Sequence, residues 1–335
     1  MKWLRSNGWL FILGGILLLA VIISRLMFRP AAVTNPVISI QDSSIITAWK
    51  APDLNSLPAG EQGQLIRYGH ELVVNTSLYF GPRGRIAAIT NGMDCGNCHI
   101  EGGTRPFGNC FSAVAANYPL FRNRSGRVES IEYRVNDCFK RSLNGHPIDT
   151  LSREMKAIVA YLKWLGKDVP LKTKPTGAGI EVLPYLERAA DTAAGRRVFE
   201  SRCAQCHGVN GAGIYKPDSA GYVYPPLWGL HSYSNAAGLY RLSLLAGYIK
   251  NNMPFGQATH QKPVLTAEEA WDVAAYIVAK PRPAKTFPGD WPDISRKPVD
   301  FPFGPYSDHF SETQHKYGPF GPIQKEKKQA VTKTE

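Results

Sequence analysis

Apolar and polar positions along this chain form a few stripes of helical period, separated by stretches with no period at all. Residues 6–24 carry no charged side chain, and a helix of that length reaches about 28 Å, close to the thickness of a bilayer's hydrocarbon core. Lys2 and Arg5 precede the run and Arg25 and Arg29 follow it. No small residues of Ala-x-Ala type come directly after Ile23, so residues 1–29 are expected to remain as a membrane anchor rather than be cleaved. Residues 30–60 hold four prolines and mixed polarity and read as a tether. From Glu61 the pattern turns helical, with Leu65, Ile66, His70, Leu72 and Val73 on one face. A second stripe, Ile158, Val159, Leu162 and Leu165, closes the segment 61–170.

Pro170, Pro175, Gly177, Gly179 and Pro184 break any element between these stripes and the next helix, so residues 171–190 read as a linker. Asp191 is placed to cap a helix running through Arg196, Val198 and Phe199 to Cys203. Thr266 followed by Glu269 is a capping box, opening a helix through Trp271, Val273 and Tyr276 that Pro281 limits. These elements set a second segment at 191–284. Residues 285–335 are rich in Pro, Gly, Phe and Tyr and end Lys-rich. The aromatic residues of this tail are expected to pack onto the body, and its last ten or so residues to be mobile.

The two segments repeat one another. Each contains Cys-x-x-Cys-His, at Cys95, Cys98 and His99 and again at Cys203, Cys206 and His207. One such motif could hold zinc or a redox thiol pair. Two copies, each ahead of an amphipathic helix, match covalent haem c: two thiols for thioether bonds and an imidazole for iron. Met253 lies 23 residues before Tyr276, and Cys138 lies 23 residues before Tyr161. Met253, in Asn-Asn-Met-Pro-Phe-Gly, suits the sixth ligand of the second haem, with Lys250 as a rival close in sequence. Cys138 occupies the equivalent place in the first segment. From spacing alone, iron ligation and a disulfide to Cys110 stand about even for Cys138. The repeat favours ligation, which leaves Cys110 as a small buried hydrophobe.

Charge sharpens the picture around Cys138. The chain carries a formal excess of +12. Such an excess suits an anionic substrate or membrane surface, and no nucleic-acid motif appears, so no nucleic-acid partner is expected. Arg122, Arg124, Arg127, Arg134, Lys140 and Arg141 put six cations into twenty residues around the thiol. Such a cluster is expected to depress the thiol pKa and to hold an anion. Phosphate is one candidate, and a thiolate beside a redox centre points instead to sulfur chemistry.

Cys95-Gly-Asn-Cys-His99, then Tyr118-Pro, Arg124-x-Gly126 and Arg134-x-x-x-Cys138-x-x-Arg141-Ser142-x-Asn144-Gly145, resemble the dihaem thiosulfate dehydrogenases, some of which work as tetrathionate reductases. The likeness covers roughly residues 60–285. It implies an all-α fold of two tandem class I cytochrome c domains, here behind an N-terminal anchor helix. It also implies His99 and Cys138 on the first iron, with Arg124, Arg134 and Ser142 around the substrate. His207 and Met253 would ligate the second iron, although some relatives use a lysine there. The implied reaction joins two thiosulfates into tetrathionate, or the reverse, with a small cytochrome c or similar external electron partner. Covalent haem c is assembled outside the bacterial cytoplasm, so a periplasmic body held at the inner membrane by residues 6–24 is expected. Two other readings stay open: a non-catalytic dihaem electron-transfer subunit, and a carrier cytochrome that holds thiosulfate on Cys138 for a partner.

Denatured protein is expected to retain two haems per chain in a pyridine haemochrome assay; one or none would remove the basis of this reading.

Overall fold

Two helix crossings organise the computed structural model, which describes residues 49–217 and 220–332. The long helices are α1 (Glu61–Val74), α2 (Ile131–Arg141), α3 (Arg153–Leu165), α4 (Thr192–Val198), α5 (Leu242–Asn252) and α6 (Ala267–Val278). α1 packs on α3, and α4 and α5 pack on α6. The expected anchor lies outside the described residues, among which no helix is long and apolar enough to cross a membrane.

Each crossing is made by a glycine. A Cβ at Gly69 of α1 would stand 2.0 Å from the carbonyl oxygen of Ala157 on α3. A Cβ at Gly195 of α4 would stand 1.9 Å from that of Asp272 on α6. The paired backbones therefore touch, and ridges of larger side chains close around the contact. On the first crossing these are Ile66, Leu72, Val73, Ile158, Tyr161, Leu162 and Leu165, all buried. On the second, Trp271, Val273, Ala274 and Ala275 are buried almost completely. Helix ends follow the local signals. Ser152 accepts from the Met155 amide at the start of α3, Asp191 accepts from Ala193 and Ala194, and Thr266 and Glu269 form the capping box. α4 runs on into a π-helical turn, Phe199–Cys203, that delivers the second motif.

Two short antiparallel hairpins amend the all-α expectation to a mainly helical one. β1 (Leu120–Arg122) pairs with β2 (Arg127–Glu129), and β3 (Ile214–Tyr215) with β4 (Tyr222–Tyr224). Strands of two or three residues are too short to show an alternating pattern in sequence. Residues 171–190 are a connection laced to both segments rather than a free linker. Gly177 and Gly179 carbonyls accept from Phe107 and Asn109, and the Pro184 carbonyl accepts from the Trp271 indole. The segments also bond directly, Tyr248 Oη donating to Asn97 O at 3.0 Å.

The C-terminal residues wrap the body as the aromatic content implies. Phe320 packs near Tyr185 and Trp271, and Phe320 and Ile323 are buried. Two helices follow near the end of the chain, α7 (Glu312–Tyr317) and α8 (Gly321–Thr332), the second reaching into the last ten or so residues.

Gly195→Ala is expected to force α4 and α6 apart, at a cost of about 1–3 kcal/mol. Gly289→Ala, where a Cβ meets nothing within 4 Å, is expected to be near neutral. Thermal unfolding of the two variants checks the contrast.

Candidate active site

α2 carries the thiol at the centre of the first segment. Ser130 caps it by accepting from the Tyr133 amide, and its inner face is Ile131, Asp137, Phe139 and Arg141. The helix forms one wall of a cavity of about 280 Å³. Cys95, Cys98 and His99 line it from the motif side, and Arg134, Cys138 and Ser142 from α2 and its end. Val73, Phe139, Leu143, Ile158 and Leu162 give it a largely apolar wall, with Asp94 and Asn109 among the polar residues of the lining. The motif and the Cys138 segment, distant in sequence, thus share one space.

His99 is fixed by its surroundings. Its Nδ1 lies 2.6 Å from Asn109 O, and Phe111 stacks on the ring at 4.2 Å between centroids. Nε2 has only the Asn109 side-chain amide near it, at 3.5 Å, a long contact that a ligand would replace, while the Nδ1 contact is of the kind that fixes a metal-binding imidazole in one tautomer. Burial, with Arg134 assisting, holds the His99 pKa down at about 4, so the imidazole is neutral at pH 7 as a ligand must be. For Cys138 the expectation of a depressed thiol is corrected. Burial pushes its pKa up, and Arg134, the leading opposing influence, does not overcome it. Desolvation of a buried anion outweighs the two nearby cations, Arg134 and Arg141, here. Arg134 responds in the opposite sense, its pKa raised chiefly by Cys138.

The cations divide into two groups. Among the described residues only Nη1 of Arg134 has a partner, Asp137 Oδ2 at 2.9 Å, so its other N–H groups remain for an anion. Arg124 does not line the cavity. Its Nε donates to Asp290 at 2.8 Å and its Nη2 to Ala236 O at 2.9 Å. The structure therefore brings Cys138, Arg134 and Ser142 together and sets Arg124 behind them. Tyr118 also lines the cavity, with its hydroxyl pKa raised by burial; sequence showed it only as part of a motif. Cys110 and Cys138 are both unpaired, and the Cys110 thiol donates to Gly177 O at 3.0 Å.

The second cavity, of about 190 Å³, is lined by Cys203, Cys206, His207 and Met253. His207 Nδ1 lies 2.8 Å from Pro225 O, again leaving Nε2, and burial lowers its pKa. Met253 caps α5 in extended conformation and reaches the cavity, whereas Lys250 is not among its lining residues. Met93, Cys98, Tyr233 and Leu239 line both cavities, so one layer of side chains separates them.

These cavities fit haem c. Each offers two unpaired motif thiols, one oriented imidazole and a mostly apolar wall, with a sulfur residue completing the lining. Among the described residues no group of three or more His, Cys, Asp or Glu could hold a metal ion by itself.

Comparison with known proteins agrees with this arrangement. Residues 192–280 match the cytochrome c family, and residues 86–171 match the SoxA/TsdA cytochrome c domain. A thiosulfate dehydrogenase of Psychrobacter arcticus is 35% identical over 246 residues, covering 73% of this chain and 72% of the relative. One from Allochromatium vinosum is 35% identical over 240 residues, 70% of this chain and 85% of that one. The solved thiosulfate dehydrogenase (TsdBA) of Marichromatium purpuratum superposes with a TM-score of 0.66 at 29% identity, over 78% of this chain. The match spans 55% of that solved chain. With cytochrome c matches in both halves and relatives aligned over most of their length, the chain belongs to the thiosulfate dehydrogenase family of c-type cytochromes.

Proposed function

We propose that this chain is a periplasmic dihaem cytochrome c that oxidises two thiosulfates to tetrathionate, and that the same site supports the reverse reduction. One observation carries the reading: Cys138, Arg134 and Ser142 line a single cavity with the motif cysteines and His99. A sulfur nucleophile, a cation with unused N–H groups and a hydroxyl are what joining two sulfur oxyanions requires.

In this reading the Arg134 guanidinium and the Ser142 hydroxyl donate to the sulfonate oxygens of thiosulfate. Each charge-assisted hydrogen bond contributes about 1.5–3 kcal/mol. The sulfane sulfur is thereby turned toward Cys138. The thiolate of Cys138 and the sulfane sulfur form an S–S bond with release of two electrons. A second thiosulfate attacks that sulfane sulfur, tetrathionate leaves and the thiolate is restored. Burial of the thiol disfavours its ionised form, which Arg134 counteracts most strongly at Cys138. Haem c, when bound in each cavity, supplies a one-electron couple, two in all for the two-electron reaction.

His99 and Cys138 would hold the iron of the first haem, and His207 and Met253 that of the second. A thiolate donates density to iron and a Met/His pair raises its potential, which directs electrons toward the second cavity and on to an external carrier such as a small cytochrome c. The apolar run at residues 6–24 would hold this body at the membrane. The direct test is an anaerobic assay with thiosulfate and an artificial acceptor, then with tetrathionate and a reduced donor. No turnover in either direction would leave only an electron-transfer or thiosulfate-carrying role.

Cys138→Gly is expected to keep both haems attached, lose the thiolate signature of the first ferric haem, and drop thiosulfate turnover by orders of magnitude. Cys110→Ala is expected to keep near-normal turnover. Equal damage from the two variants would instead indicate a disulfide role. Met253→Gly is expected to shift one haem midpoint potential and slow electron release while leaving thiosulfate binding in place; spectropotentiometry and stopped-flow reoxidation separate the two effects.

A further inference from the structure

After α6 the chain turns back over α2 as a strap, beyond the residues matched by the cytochrome c family. Lys285 Nζ donates to the carbonyls of Lys140 (2.9 Å) and Gly145 (3.1 Å), at and just past the C-terminus of α2. The Phe287 ring lies against the Arg141 guanidinium at 3.7 Å. Asp290 follows, and its carboxylate engages two arginines. Oδ1 accepts from Arg141 Nη2 at 2.6 Å and Oδ2 from Arg141 Nη1 at 2.8 Å, while Arg124 Nε reaches Oδ2 at 2.8 Å. The next residue, Trp291, donates its amide to the Arg124 carbonyl at 2.6 Å.

The contacts continue inward. Arg141 Nε donates to Asp137 Oδ1 at 2.5 Å, and Asp137 Oδ2 accepts from Arg134, the cation that faces Cys138. Three arginines and two aspartates thus alternate from strap to cavity. The Arg141 side chain is only 7% exposed and Asp137 4%. Burial, then the neighbouring Arg141, lowers the Arg124 pKa, and Asp290 is the leading influence that opposes them. A bidentate carboxylate between them fixes both planar groups in direction as well as in place.

We propose that Asp290 is a positioning residue of the sulfur-anion site. It locks Arg141 and Arg124 and, through Asp137, sets the direction of the Arg134 guanidinium. This deepens the reading given under Proposed function and rests on it. A merely structural tie would hold the strap without affecting how the cavity receives an anion.

The test uses the holoprotein and three variants, D290N, D290E and K285M. Thiosulfate KM and kcat are measured, together with the Kd for sulfite from the equilibrium change in haem absorbance without turnover. D290N keeps the shape but loses one acceptor, and is expected to raise KM and the sulfite Kd about tenfold with kcat within about threefold. D290E restores the charge and is expected to recover most of that loss. K285M loosens the strap without touching an arginine; it is expected to lower the melting temperature and leave KM within about twofold. The proposal is overturned if KM and sulfite Kd in D290N stay within about twofold of wild type, if D290E is no better than D290N, or if K285M raises KM as much. Should wild type fail to turn over thiosulfate, the functional reading falls, and the sulfite Kd ratios still decide the role of Asp290.

Discussion

Backbone contact at Gly69 and Gly195 is the constraint from which the rest of the molecule follows. Because no side chain stands between α1 and α3, or between α4 and α6, each pair sits closer than ordinary helices. The large residues displaced from the contact, Tyr161 in one half and Trp271 in the other, fill the space around it. The motif cysteines and histidines are then presented by loops whose ends are fixed by these pairs. A protein that must hold a large flat group between loops needs that rigidity, since the loops have little regular hydrogen bonding of their own.

Sequence carried the frame of this structure well. The equal spacing from Cys138 to Tyr161 and from Met253 to Tyr276 pointed to both cavity-lining sulfur residues, although the two intervals are built differently: Cys138 lies within α2, and Met253 just past the end of α5. Asp191, Thr266 and Glu269 were readable because a cap acts on neighbours two or three residues away. Interactions between distant parts of the chain were not readable. Arg124 looked like part of the anion site, yet Asp290 and the Ala236 carbonyl engage it, and no local pattern announces a partner from the far end of the chain. The Cys138 thiol went the same way: the nearby cations are visible in sequence, whereas the burial that outweighs them is a property of the folded cavity.

The basic character of the chain also changes meaning once folded. Around Cys138 four cations share two acidic partners: Asp137 meets Arg134, Lys140 and Arg141, and Asp290 meets Arg124 and Arg141. An anion entering the cavity therefore faces one cation with unused donors rather than an undirected field. Directed hydrogen bonds discriminate by shape, which a diffuse excess of charge does not.

Met93, Cys98, Tyr233 and Leu239 belong to both cavities at once, which limits how such a protein can change over generations. The halves look like duplicated modules in sequence, yet neither owns the partition that divides them. A graft exchanging one half for that of another cytochrome would have to match this partition atom for atom. Splitting the chain at residues 171–190 would let water into each half through the side its sibling now closes.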